Sequence, residues 1–115
     1  MNDRTDGTDH GLTVLHARFP SAYVLTLRGT ADMFTAEDLD VDFAAATTTG
    51  PRLVVDLGAL EYGDETLLGL LLDAHRTHGV ELVGPLSPSF QRRLDTTGIT
   101  GWFTIHPTLT SALAA

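Results

Sequence analysis

Residues 52–78, RLVVDLGALEYGDETLLGLLLDAHRTH, decide the fold that this sequence predicts. The run from Leu53 to Leu57 is rich in β-branched residues and leucine without alternation, which is typical of a strand covered on both faces. Residues 58–63 break that pattern and predict a short acidic turn. The leucine-rich segment that follows predicts a helix that stops at Gly79, a suitable left-handed cap. We expect any functional surface to lie at the connection between this strand and this helix.

The amino end of the predicted helix is the candidate functional site. Asp64 is the predicted N-cap, and Glu65 follows in the first turn, where the helix dipole favours a negative charge. The preceding turn carries Glu61 and Tyr62 to the same rim. These side chains define a polar, acidic corner at the surface.

Composition excludes several classes of function. A chain of 115 residues is large enough for one domain, and the absence of cysteine excludes disulfides and thiolate chemistry. The net charge of −8 repels a nucleic-acid backbone, so a charged partner is expected to present Arg or Lys. No apolar run reaches membrane-spanning length, and the polar start is unlike a signal peptide. We therefore expect a cytoplasmic protein that neither enters a membrane nor binds nucleic acid.

The order of predicted elements indicates an α/β fold with a mostly parallel sheet of four or five strands, helices packed on it and an N-terminal strand pair. Residues 1–11 are expected to be a disordered tail, and residues 12–115 form the domain. The other predicted elements are strands at 12–17, 23–28, 80–83 and 102–105, a helix that ends by Gly50-Pro51, a helix at 89–97 behind Ser87-Pro88, and a terminal helix behind Thr108.

With the elements placed, the chain resembles a STAS domain, the fold shared by bacterial anti-sigma factor antagonists and the tails of sulfate transporters. The resemblance spans about residues 12–115, although the stretch from His75 to Glu81 looks shorter than in common members by about a turn. It is carried by residues 25–29 (LTLRG), 53–57 (LVVDL), 70–76 (LLLDAHR), 82–85 (LVGP), 90–94 (FQRRL), 97–99 (TGI) and 106–108 (HPT).

The resemblance implies a function in transcription regulation through protein–protein contact, without catalysis and without a cofactor. In the antagonist family the central helix opens with Asp-Ser-Ser-Gly, and the serine after the aspartate is phosphorylated by an anti-sigma factor of the histidine-kinase-like ATPase type. The unphosphorylated domain binds that kinase and frees the sigma factor. The matching segment here is Asp64-Glu65-Thr66-Leu67, so the phospho-acceptor position holds Glu65.

Glu65 and Thr66 can each be interpreted in two ways. Glu65 is either a permanent imitation of the phosphorylated form, with phospho-switching lost, or a simple helix-dipole charge on a site that has lost its task. Thr66 is either a reassigned phospho-acceptor or a structural residue of the first turn.

The leucines of the helix also have two interpretations. A helix that is apolar on most of its circumference is either deeply buried or offers an apolar patch to a partner. The resemblance implies docking through the helix start and the loops beside it. The expected partner-binding residues are Tyr62, Asp64, Glu65, Thr66, Leu67 and Leu70.

Metal binding and catalysis have less support in this sequence. His75, His78 and Asp73 resemble a partial metal site, but cations at a helix C-terminus explain the histidines better, and we expect no metal. Asp56 stands where some α/β enzymes keep a catalytic aspartate, but we expect it to bond nearby backbone amides. No phosphate loop or nucleophile elbow is present, so no catalytic residue is predicted.

Two other functions stay open. One is a STAS-like scaffold subunit of a transport or signalling assembly outside sigma-factor control. The other is a binder of a small ligand at the rim near Glu61, Tyr62 and Asp64.

Overall fold

The computed structural model describes residues 11–49 and 52–115, and within them it contains five strands and four α-helices. Residues 1–10 of the predicted tail at 1–11 and the predicted helix end at Gly50-Pro51 lie outside the described residues. In chain order the elements are β1 (Leu12–Arg18), β2 (Tyr23–Ala31), α1 (Ala36–Thr49), β3 (Leu53–Gly63), α2 (Glu65–Thr77), β4 (Val80–Val83), α3 (Pro88–Thr97), β5 (Thr104–His106) and α4 (Leu109–Ala114).

The five strands form one sheet in the order β1-β2-β3-β4-β5. β1 and β2 are antiparallel, and the other neighbouring pairs are parallel. This confirms the predicted mixed sheet with an N-terminal strand pair. Since the parallel strands share one carboxyl edge, the loops after β2 and β3 lie side by side, and the backbone N–H of Asp64 donates to the carbonyl of Ala31 at 3.1 Å.

Helices cover the two faces of the sheet unequally. Residues of α1, α2 and α3 pack with one face of the strands into the larger hydrophobic core, which contains Phe43, Leu71 and Phe90. The opposite face has a smaller core, in which Val54 and Val83 pack near Ala112 of α4. This arrangement explains why the central strand lacks alternation, because it is buried on both sides. None of the helices in the described part of the chain has the length and apolar character needed to cross a bilayer.

The predicted turn at 58–63 is wrong, because β3 continues without interruption to Gly63. Relative to β2, β3 has one extra residue after Asp56 and another after Leu60, so two bulges interrupt the ladder. The residues of the strand that face the larger core are consequently spaced by two from Leu53 to Leu57, and the next buried positions, Leu60 and Gly63, are spaced by three. A strand whose inward positions change their spacing has no period-two pattern in its sequence, which is why these residues resemble a loop.

Helix ends follow their local signals closely. The hydroxyl of Ser87 accepts from the N–H of Phe90, and Thr108 caps α4 through the N–H of Ser111. After α2, Gly79 has a φ of 89° and its N–H donates to the carbonyls of Ala74 and His75, as predicted for a left-handed cap. The predicted strand at 102–105 begins later, because Trp102 ends a 3-10 turn and is more than half exposed.

A polar network anchors α4 to the sheet. Arg52 donates to both carboxylate oxygens of Glu81, at 2.8 and 2.6 Å, and to the carbonyl of Ala112 at 3.0 Å. The ring of His106 lies 2.8 Å from the same carboxylate. The hydrogen bonds from Arg52, followed by that of His106, lower the pKa of Glu81 to about 2 against partial burial, which raises it. The anion is therefore held between two basic groups.

Candidate functional site

The carboxylate of Asp64 organises the amino end of α2. Its Oδ1 accepts from the N–H of Thr66 at 2.9 Å and from the N–H of Leu67 at 3.4 Å. The backbone of Asp64 is extended, with φ −100° and ψ −168°, as an N-cap requires. The predicted cap is confirmed. Asp64 thus uses its side chain to satisfy helix N–H groups that would otherwise lack partners.

Glu65 is the first residue of α2, and its side chain projects into solvent. The side chain is 76% exposed, and its Oε2 lies 3.3 Å from Nη1 of Arg93 in α3. The structure therefore places this carboxylate at the positive end of the helix dipole and outside the core. Sequence reasoning missed Arg93, because nothing in the local pattern of α3 indicates that it reaches α2.

Arg93 links the site to the end of β3. Its Nη2 lies 3.5 Å from the hydroxyl of Tyr62, which is 41% exposed. The Nε of Arg93 is buried without a hydrogen-bond partner among the described residues. One cation consequently touches two of the predicted site residues, Tyr62 and Glu65, and holds them on one side of the helix start.

Thr66 is half-buried beside the cap. Its hydroxyl hydrogen bonds to Oδ1 of Asp64, the same oxygen that accepts from the backbone N–H of Thr66. The hydroxyl is thus engaged within the helix start. Two of the predicted site residues, Asp64 and Thr66, are therefore joined by a side-chain hydrogen bond.

The two predicted apolar contacts of α2 differ in position. Leu67 is 1% exposed and packs in the larger core, so its side chain belongs to the interior and not to the contact surface that the sequence predicted. Leu70 is half-buried and packs only at the edge of that core. Gly63 explains the tight fit around Leu67, because a Cβ at Gly63 would lie 2.7 Å from Cδ2 of Leu67.

An exposed apolar pair lies in the loop next to the site. Met33 and Phe34 are 66% and 69% exposed, and they follow Asp32, the first residue after β2. β2 ends beside β3, with Ala31 paired to Gly63. The parallel pairing of the two strands, once known, is the signal that brings this loop to the α2 start; the residues alone did not indicate it.

The remaining candidates have structural roles. Nδ1 of His75 accepts the N–H of Val80 at 3.0 Å, which joins the end of α2 to β4. The described residues contain no group of three His, Cys, Asp or Glu side chains close enough to hold a metal ion. Oδ1 of Asp56 accepts the N–H of Gly58 at 2.9 Å, as the sequence predicted.

Comparison with known proteins agrees with this architecture. The profile of the STAS domain matches residues 15–112 of the chain. No curated protein sequence matches it. Among solved structures, an anti-sigma factor antagonist from Mycobacterium paratuberculosis has 29% sequence identity and a TM-score of 0.81, and the match covers 90% of this chain and 92% of that one.

Two further similar structures are forms of one antagonist. Unphosphorylated SpoIIAA superposes with a TM-score of 0.73 at 19% identity, over 88% of this chain and 93% of that chain. The phosphorylated form of the Bacillus cell fate determinant SpoIIAA has a TM-score of 0.69 at 17% identity, over 89% and 97% of the two chains. At these identities the likeness concerns the fold.

Proposed function

Because this chain belongs to the STAS domain family, we propose that it is a cytoplasmic protein–protein interaction module of the anti-sigma factor antagonist type, with Glu65 as a fixed charge in place of a removable phosphate. It acts by binding and not by catalysis. Its partner is an anti-sigma factor of the histidine-kinase-like ATPase type. The observation that carries the proposal is the position of Glu65, exposed at the first residue of α2.

The chemistry of this position supports a fixed charge. A helix amino end stabilises phosphate through its backbone N–H groups and its dipole, and a carboxylate there supplies part of the same charge permanently. Arg93 at 3.3 Å is a cation of the kind that pairs with such an anion. Under this proposal the protein resembles the phosphorylated form of a relative and binds the kinase weakly.

The surroundings of Glu65 support a docking surface. Tyr62 at the end of β3, and Met33 and Phe34 in the loop after β2, are exposed beside the α2 start. Aromatic residues and methionine are enriched in protein interfaces. The contact surface that we propose therefore consists of Tyr62, Glu65 and the Met33-Phe34 pair, with Leu67 supporting it from below.

Thr66 is the local alternative as phospho-acceptor. Its hydroxyl already bonds to Asp64, so transfer of phosphate to it would break that bond and bring a second anion beside the cap carboxylate. We propose that phospho-switching is lost in this chain and has not moved to Thr66.

The test mixes the purified chain with each anti-sigma kinase encoded in the same genome, with ATP. The variants are Glu65→Ser, whose hydroxyl would attack the γ-phosphorus of ATP and release ADP, and Thr66→Val as a matched control. We expect weak binding and no phosphate uptake by the native chain, but tighter binding and phosphate uptake by Glu65→Ser. Phosphate uptake that Thr66→Val abolishes would show a moved acceptor. If neither the native chain nor Glu65→Ser binds any of these kinases, the regulatory role is wrong.

A further inference from the structure

A shallow groove runs between α1 and α2, from about one to about three turns beyond Glu65 along α2. Each helix lines it with residues three and four positions apart, so the groove follows both helix axes. Its volume of about 170 Å³ is below the range of small-molecule sites and suits a single side chain. The principal lining residues are Asp40, Phe43 and Ala44 of α1 and Leu70, Asp73 and Ala74 of α2.

The floor of the groove is apolar. Phe43 and Ala74 are buried, Leu70 is half-buried, and Ala44 faces solvent. The two alanines create the gap, because a methyl group on each helix leaves the space between the helices unfilled. An aliphatic side chain placed there would contact carbon on both helices and remove apolar surface from water.

The walls of the groove are acidic. Asp40 stands on α1 and Asp73 on α2. Asp73 has only a weak contact, 3.5 Å from Arg76 between two highly exposed side chains, and Asp40 has no ion pair among the residues at 11–49 and 52–115. Asp42 is different, because His16 contacts it at 2.7 Å. Both walls therefore present carboxylates that the protein itself leaves largely uncompensated.

We propose that this groove binds a cationic amphipathic helix of a partner protein. One aliphatic side chain of that helix fills the gap over Phe43 and Leu70, and flanking lysine or arginine side chains pair with Asp40 and Asp73. Amphipathic helices dock in apolar grooves through anchors at helical spacing, and opposite charges along the walls select the partner. The surface is separate from the corner at Glu65, so this inference goes beyond the proposed function and does not depend on it.

The charge of α1 gives the groove its polarity. The helix contains four acidic residues and no basic residue. Only Asp40 among them lines the groove, while Asp38 is exposed on the opposite side of the helix. This division provides a matched control, because the same number of charges can be removed at the groove or away from it.

The test titrates the full-length, isotope-labelled chain with a synthetic helical peptide that has a leucine stripe flanked by lysines, and follows backbone amide shifts by NMR. A peptide with glutamate in place of lysine is the probe control. We expect the lysine peptide to shift amides along the facing sides of α1 and α2, and the glutamate peptide to shift none. Shifts centred on Tyr62 and Glu65, or no shifts at all, would overturn the proposal.

Three variants then separate groove binding from general attraction to an acidic protein. Asp40→Asn with Asp73→Asn should weaken binding by about tenfold, whereas Asp38→Asn with Glu61→Gln, two exposed residues outside the groove, should change it by less than about twofold. Ala44→Trp, at an exposed position, should fill the gap and abolish binding while the circular dichroism spectrum is unchanged. Equal weakening by the two charge pairs, or undiminished binding by Ala44→Trp, would contradict the proposal.

Discussion

Arg93 of α3 contacts Glu65 at the amino end of α2, with 3.3 Å between Nη1 and Oε2. Twenty-eight positions separate the two residues in the chain, yet they meet at one exposed charge pair. The carboxylate at the first residue of α2 therefore has its own counter-ion. Surface pairs of this kind add little stability, so the main effect of the contact is on the net charge at this part of the surface.

Replacing Arg93 should change binding more than folding. Arg93→Gln leaves Glu65 without its cation, and under the proposed function this should weaken association with the anti-sigma factor further, by a few-fold, as measured by calorimetry. Arg92→Gln removes the same charge from the neighbouring, exposed position and is the control. In a Glu65→Gln background Arg93→Gln should have little additional effect. An equal loss of affinity for both arginine variants would argue against a specific pair.

Leu67 and Leu70 should differ in their contribution to the free energy of unfolding. Leu67→Ala leaves a cavity in the larger core, where the side chain is fully enclosed, and should cost about 2 to 5 kcal/mol in urea denaturation. Leu70→Ala, at the half-buried edge, should cost about 1 kcal/mol or less. Similar losses for the two variants would place Leu67 at the surface, contrary to the structure.

Substitution by alanine should have opposite effects on stability at Gly29 and at Gly69. Gly29 has a φ of 97°, and a Cβ there would lie 1.9 Å from the carbonyl oxygen of Gly11, so Gly29→Ala should destabilise the protein by more than about 2 kcal/mol. Gly69 in α2 has open space around its Cα, so Gly69→Ala should stabilise the helix by about 0.5 to 1 kcal/mol. Thermal denaturation measures both. A stable Gly29→Ala variant would contradict the close approach of Gly11.

Acid should remove the stabilisation that Glu81 provides. Its pKa falls from 4.5 to about 2 in the folded chain, so the unfolded chain takes up the proton first as the pH falls. The contribution is therefore complete above about pH 4.5 and is lost between there and pH 2, by about 2 to 3 kcal/mol. Denaturation by urea at several pH values measures it. Glu81→Gln should be less stable at pH 7 and flatter in this range; an unchanged slope would contradict the assignment.

The sequence predicted those features that depend on neighbours in the chain. Asp64 caps α2, Ser87 caps α3 and Gly79 ends α2, because each signal acts within a few residues. The order of strands and helices then limited the topology to a mostly parallel sheet, which the structure confirms.

Features that depend on distant parts of the chain were not predicted. Arg93 reaches Glu65 only because α3 packs against β3 and brings this side chain to the α2 start, and Leu67 is buried only because Gly63 and Phe90 leave it a site in the core. Sequence patterns report what a helix face contains, but not which neighbour covers it. The place of Glu65 at the helix start, in contrast, was predicted, since it depends on the cap alone.

Because the buried residues of β3 are unevenly spaced, the structure between Leu57 and Gly63 depends on the number of residues in this segment. Exposed side chains there can change while the backbone stays in place, but a deletion of one residue would turn Leu60 toward solvent and draw Asp64 away from the carbonyl of Ala31. We therefore expect this segment to tolerate substitutions of its exposed residues, and we expect insertions and deletions to be tolerated only in other connections of the domain.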